Sequence, residues 1–162
     1  MPVSSCREWE AKVRGASCPL DAPRADSNAE WDLVAPLSIS SLYLAKNQTY
    51  RGQCLLIFDP RHAARPDELS ATEWAAFCAD LHASAAAVTR AVRPDHVNVA
   101  SLGNVVPHLH WHVIPRYLGD PRWGAPISTT AGTDMLDKRL GESERADLLR
   151  LLRDSLHGAR SA

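Results

Sequence analysis

Apolar residues along this chain fall into short strand-like runs and a few stretches of helical period. Trp9 and Val13 stand four apart among polar residues, which predicts a short helix over 5–14. Residues 15–28 are rich in Pro, Ala, Asp and Ser and read as an irregular crossing. From Trp31 to Lys46, Leu33, Leu37, Ile39, Leu42 and Leu44 are interleaved with polar residues and Pro36, predicting two short strands or one broken near Pro36. Tyr50-Arg51-Gly52 reads as a turn, and the apolar run from Gln53 to Phe58 as a buried strand stopped by Asp59-Pro60. A long helix is predicted from Ser70, with Glu73 placed to close a capping box, to about Arg90; Trp74, Phe77, Leu81, Val88 and Val92 mark its apolar stripe. Arg93-Pro94 ends it. Strands follow over 96–102 and 108–116, separated by a turn at Gly103-Asn104 and close enough to pair as a hairpin. A loop over 120–126 and a helix over 143–157, with Leu148, Leu149, Leu152 and Leu156 inward, complete the pattern.

Composition narrows the class. At 162 residues the chain is expected to be one domain able to bury its own core. Lys plus Arg number 18 and Asp plus Glu 19, and this balance supplies no broad field for a nucleic-acid polymer. Nothing approaches the roughly 18 apolar residues of a membrane span, and the first residues lack the basic-then-apolar order of a secretory signal. The expectation is a soluble, cytoplasmic protein without membrane partners, whose Cys6, Cys18, Cys54 and Cys78 are reduced thiols.

The candidate chemistry lies in His108-Leu109-His110-Trp111-His112-Val113-Ile114. Alternation along a strand puts His108, His110 and His112 on one face, with Leu109, Trp111 and Val113 packed beneath. Neutral imidazole is both a metal ligand and a nucleophile or acid–base group near neutrality. Two readings stay open on these residues: a zinc site completed by a further ligand, or phosphoryl transfer in which one ring attacks phosphorus while its neighbours donate to charged oxygens. Gly103-Asn104, a turn able to offer backbone and amide donors, and Arg116, able to present a forked donor from the same face, favour the second.

The run from Gly103 to Arg116 resembles the signature of the histidine triad superfamily, His-φ-His-φ-His-φ-φ with φ apolar, and is more similar to the bacterial diadenosine-tetraphosphate-hydrolase-like branch than to the phosphoramidase branch. The resemblance extends through Gln48-Thr49-Tyr50-Arg51-Gly52, His62, the Leu69-Ser70 entry to the long helix and the run from Asp120 to Pro126, covering 17–127 and leaving 128–162 as a C-terminal helical extension. It implies an α+β fold, with an antiparallel sheet of about five strands carrying one long helix plus N- and C-terminal helices, in a homodimer that takes a small-molecule nucleotide. It implies that His110 attacks the α-phosphorus to form a nucleotidyl-histidine, that His112 bonds the phosphate or leaving-group oxygen, and that His108 supports the array. Asn104 and the backbone after Gly103 would hold non-bridging oxygens; Asn98 would contact or orient the phosphate and Asn47 the ribose.

Two departures from the family pattern stand out. Gln53 follows Gly52 where many members carry another histidine, so any role it has is orientation without titration. Where some members carry Cys-x-x-Cys for structural zinc, this chain reads Cys18-Pro19-Leu20-Asp21; Cys18, Asp21, His62 and His108 make a candidate set because carboxylate is an acceptable ligand. The chemistry itself requires no cofactor, although magnesium can accompany a polyphosphate substrate. The expectation is thus a nucleotide hydrolase or transferase acting on a dinucleoside polyphosphate or related nucleotide. Its rivals are a nucleotide-binding regulatory protein left nearly inert by Gln53, and a zinc-dependent hydrolase.

Overall fold

The structure is a computed structural model; it describes residues 6–120, 122–125 and 138–159. Five strands form one antiparallel sheet: β1 (Trp31–Pro36), β2 (Ser40–Ala45), β3 (Cys54–Phe58), β4 (His96–Ala100) and β5 (His110–Arg116), in the spatial order β1-β2-β3-β5-β4. The apolar run from 31 to 46 therefore divides into two strands, and β4 and β5 pair as the expected hairpin. Three α-helices accompany the sheet: α1 (Cys6–Val13), α2 (Ala71–Val92) and α3 (Glu142–Ala159). No helix among the described residues is long and apolar enough to cross a membrane.

Helix α2 starts where its capping box predicts. Glu73 N–H donates to Ser70 Oγ at 3.2 Å and Ser70 N–H to Glu73 Oε2 at 2.8 Å, and the helix ends on Arg93 in the left-handed region at φ 46°. It covers one face of the sheet, burying Phe77, Ala87 and Val88 against Leu42, Leu44, Leu56, Phe58, Leu109 and Val113. Helix α3 packs beside α2 and reaches β1 through Leu148, Leu152 and Leu156. A bulge between Leu33 and Ala35 leaves two carbonyls for Arg153 of α3, whose Nη2 donates to Leu33 O at 2.7 Å and Nε to Val34 O at 2.9 Å.

The stripe of α2 holds one residue that its apolar pattern does not announce. Asp80 is buried, and its carboxylate accepts Ser38 N–H at 3.1 Å, Ile39 N–H at 2.9 Å and Ser40 Oγ–H at 2.6 Å. It ties the β1–β2 turn to the helix, satisfying donors that the turn leaves unpaired.

The opposite face carries the histidines. Register places Ile57 beside His110, Leu55 and Ala100 beside His112, Asn98 beside Ile114 and His96 beside Arg116. Toward β1 this face is apolar, with Tyr43, Ile57, Leu55, Leu33 and Trp31, and Cys18 and Leu20 from the irregular crossing pack on it.

Candidate functional site

The three histidines do not present one uniform surface. β5 begins at His110; Pro107 and His108 precede it in a turn in which His108 N–H donates to Val106 O at 2.9 Å. The expected strand over 108–116 is thus two residues too long at its start, and the expected strand over 96–102 ends at Ala100. Alternation continues in side-chain character where the ladder has already stopped.

His110 is 7% exposed, and its Nδ1 lies 2.6 Å from the main-chain oxygen of His108. A carbonyl accepts only, so Nδ1 carries the hydrogen and Nε2 keeps its lone pair. Burial holds His110 below the ordinary histidine range, against the carbonyl that favours its charged form. His112 packs edge-on to it with ring centroids 5.0 Å apart, and burial together with His110 pushes its pKa down to about 4. Both rings are therefore neutral at neutral pH. The Nδ1 of His112 is buried without a hydrogen-bond partner, an arrangement that a ligand donor or acceptor would relieve.

His108 turns away from this pair. Its ring is 1% exposed, donates from Nε2 to Phe58 O at 2.7 Å, and places Nδ1 3.1 Å from Asp21 Oδ1 and 3.6 Å from Cys18 Sγ. His62 mirrors it, with Nε2 3.0 Å from Val13 O and Nδ1 3.0 Å from the same Asp21 oxygen. The ligand atoms of Cys18, Asp21, His62 and His108 all lie within 4.8 Å of one another. Each imidazole spends its N–H on a carbonyl, so two lone pairs converge on one carboxylate oxygen. A cation between them, a metal or a proton, makes that geometry attractive, and burial, the largest influence on the His108 pKa, disfavours the proton on that ring. Tetrahedral zinc, with ligand distances near 2.1–2.3 Å, sets its donors roughly 3.4–3.7 Å apart, and carbonyl-anchored histidines are its usual partners. The donor set fits the metal.

Several supporting groups lie outside sequence reach. Gly15 adopts φ +84°, and a Cβ there would stand 2.9 Å from His62 Cγ, so glycine lets the chain pass over that ring. The carbonyls of Val13 and Phe58 set the histidine tautomers but carry no side-chain signature.

The remaining expected residues are placed as follows. Arg116 shares the histidine face, but its guanidinium is committed to protein: Nε and Nη2 meet the two Asp120 oxygens at 2.7 and 2.9 Å, Nη1 donates to Asn98 Oδ1 at 2.7 Å, and the carbonyls of Arg122 and Ala125 take further hydrogens. In this conformation it is a clamp on the 117–125 loop and not a free phosphate donor, because fixed carboxylate and carbonyl acceptors fill its fork. Pro121 and Pro126 of that loop lie outside the described residues. Asn98, Ala100, Ile114, Arg116 and Trp123 line a cavity of 760 Å³ on the histidine face, and Ala100 is the register partner of His112. Gly103, at φ +69°, and Asn104 line a separate cavity of 350 Å³ with Trp9, Arg14 and Arg65. Asn47 closes a turn, its Oδ1 accepting Thr49 N–H at 3.0 Å and Thr49 Oγ1–H at 2.8 Å. Gln53 precedes β3 in the same alternate series as Leu55 and Ile57 and brings no titratable group to this face.

Residues 34–119 match the HIT domain family. The chain is similar in structure to a histidine triad protein from Bradyrhizobium japonicum, with 24% identity and a TM-score of 0.71 over 78% of this chain and 91% of that one. A histidine triad protein from Marinobacter aquaeolei VT8 gives 24% identity and 0.70, covering 80% and 91%. A Zn-bound histidine triad family protein from Mycobacterium smegmatis gives 21% identity and 0.57, covering 94% of each chain. No curated protein matches the chain.

Proposed function

This chain belongs to the HIT domain family, and from that premise we propose that it is a nucleotide hydrolase or transferase cleaving at an α-phosphorus through His110. One observation carries the reading. The Nδ1–H of His110 is held on the His108 carbonyl, which leaves Nε2 as an unprotonated nucleophile beside His112.

The chemistry balances without a redox step. The Nε2 lone pair of His110 forms a bond to phosphorus as the bond to the leaving-group oxygen breaks, and His112 donates a hydrogen bond to the oxygen that gains charge. Water then attacks phosphorus, the P–N bond breaks, and Nε2 recovers its lone pair as the nucleoside monophosphate and a proton depart. Gly103 and Asn104 line the separate 350 Å³ cavity, which meets the larger one at Leu102, so the turned backbone and the Asn104 amide are proposed as donors to non-bridging oxygens of a substrate that reaches across that border. The substrate class is a dinucleoside polyphosphate or related nucleotide; the 760 Å³ cavity lined by Asn98, Ala100 and Arg116 is of a size for one and adjoins the triad at Ala100, the register partner of His112, although the three triad histidines do not line it.

The cluster of Cys18, Asp21, His62 and His108 is assigned a structural zinc. It takes only His108 from the triad, which disfavours a hydrolase using all three histidines as ligands. A homodimer is supported by the edge position of β4 and by the exposure of Val99, Leu102, Val105 and Trp123 near it. The second reading, a nucleotide-binding protein with little turnover, is favoured by Gln53 in place of a titratable group.

The test is a rapid-quench reaction with α-³²P-labelled dinucleoside polyphosphate. Label on His110 in wild type, with turnover reduced about 10³-fold or more and binding retained in His110→Asn, supports the hydrolase. Tight binding without label or turnover across a nucleotide panel supports the second reading.

A further inference from the structure

We propose that the Cys18–Asp21–His62–His108 cluster positions the nucleophile, acting on His110 through the main chain of His108. The proposal rests on the role of His110 given above. His108 is the junction: its ring Nδ1 belongs to the cluster, and its own carbonyl oxygen, 2.6 Å from His110 Nδ1, selects the tautomer that leaves Nε2 free. Side chain and carbonyl share one Cα, so a ring fixed on both nitrogens also restricts where that carbonyl points.

The neighbouring backbone strengthens the link. Leu109 N–H donates to Ala63 O at 2.6 Å, and Phe58 N–H donates to Leu109 O at 3.1 Å. Ala63 follows the ligand His62, and Phe58 also accepts the Nε2–H of His108. Two ligands of the cluster are thus joined by a short hydrogen-bonded loop that ends at the carbonyl holding His110. A cation shared by Cys18, Asp21, His62 and His108 closes the loop; without it, the lone pairs of His62 and His108 oppose the Asp21 carboxylate and push the two segments apart. Asp21 makes the closest approach to both rings, at 3.0 and 3.1 Å, so it is the positioning residue whose loss is felt most directly.

A purely structural cluster and a positioning cluster differ at His110. The experiment compares full-length wild type, Asp21→Ala and Asp21→Cys by long-range ¹⁵N–¹H correlation of the imidazole rings, alongside steady-state kinetics. Wild type is expected to show His110 as a single tautomer with the hydrogen on Nδ1. Asp21→Ala should show mixed tautomers and a kcat about tenfold lower with KM within twofold, the size expected for losing an outer support. Asp21→Cys, which restores a fourth strong ligand, should recover both signals. If Asp21→Ala fails to fold, chelator-treated wild type provides the same comparison. A single Nδ1–H tautomer and unchanged kcat after the metal is lost would overturn the proposal. Wild type that turns over no nucleotide refutes the hydrolase, and the tautomer comparison alone then decides the positioning role.

Discussion

Arg116 and Asp120 form a two-point ion pair inside the protein, with Nε–Oδ2 at 2.7 Å and Nη2–Oδ1 at 2.9 Å and side chains only 4% and 8% exposed. The pair draws the end of β5 and the 117–125 loop together and holds the Asp120 carboxyl below its usual range, chiefly through the Arg116 hydrogen bond. Removing one partner of a buried pair strands the other, at a cost of about 3 kcal/mol or more. Arg116→Ala and Asp120→Ala should therefore each lower the unfolding free energy by that order. The double variant should lose less than the sum of the two. Urea unfolding of the four proteins measures the coupling, and additive losses would contradict the clamp.

Arg116→Lys makes a separate prediction. An ammonium cannot reproduce contacts to Asp120, Asn98 and two carbonyls at once, so the 117–125 loop should loosen although the charge remains. Trp123 reports on that loop and is 44% exposed. Its fluorescence should become more accessible to iodide in Arg116→Lys, with the Trp9, Trp31, Trp74 and Trp111 background read from a Trp123→Phe control. Unaltered quenching would show that charge alone keeps the loop in place.

The depressed pKa values of His110 and His112 fix the acid side of the rate profile. Burial disfavours each imidazolium, so on acidification the folded enzyme protonates later than a free histidine would, His112 at about 4. Activity, which requires neutral His110, should stay level from pH 8 to below the ordinary histidine pKa and fall in more acidic solution. Stability follows the same sign: the unfolded chain binds these protons near pH 6.5 and the folded chain does not, so stability is full above that pH and declines as pH falls toward 4. A kcat/KM profile paired with unfolding midpoints at each pH separates the two effects. An acid limb centred near 6.5 in kcat/KM would place His110 in a more polar setting than the one described.

What the sequence made legible was periodic. Strand division around Pro36, the capping box at Ser70 and the hairpin of β4 and β5 follow from residue type and spacing, whereas the set Cys18, Asp21, His62 and His108 is implied by the family resemblance and is brought together in the structure. The misjudged features depend on partners distant in the chain or on backbone atoms. Alternation places Arg116 on the histidine face, but nothing in it shows that Asp120 and two carbonyls will take its hydrogens. His108 looks like one strand residue among three because alternation persists into a turn, where its carbonyl and ring acquire different jobs. Asp80 sits three residues after Phe77 and four before Ser84, a position on the inward stripe, yet its partners are the main-chain N–H groups of Ser38 and Ile39 and the Ser40 hydroxyl, 40 to 42 residues away. Asp80→Ala should leave two part-buried N–H donors and the buried Ser40 hydroxyl without their acceptor, costing about 3 kcal/mol in urea unfolding, with Asp80→Asn losing less.

The metal cluster yields the sharpest composition test. One thiolate, one carboxylate and two imidazoles whose free nitrogens converge within 4.8 Å should hold about one zinc per chain after mild purification. Binding adds stability because the unfolded chain lacks the assembled site, so chelation should lower the thermal midpoint and added zinc restore it. Cys18→Ser and His62→Ala should both purify with much less zinc. His112→Ala should retain it, since His112 lies outside the set. That contrast matters more than the amount bound: it separates a structural metal from one gripped by the whole triad. Loss of zinc from His112→Ala and His110→Ala together with His108→Ala would return the triad to the role of ligands, and metal content measured by atomic emission alongside the unfolding midpoint decides between the two.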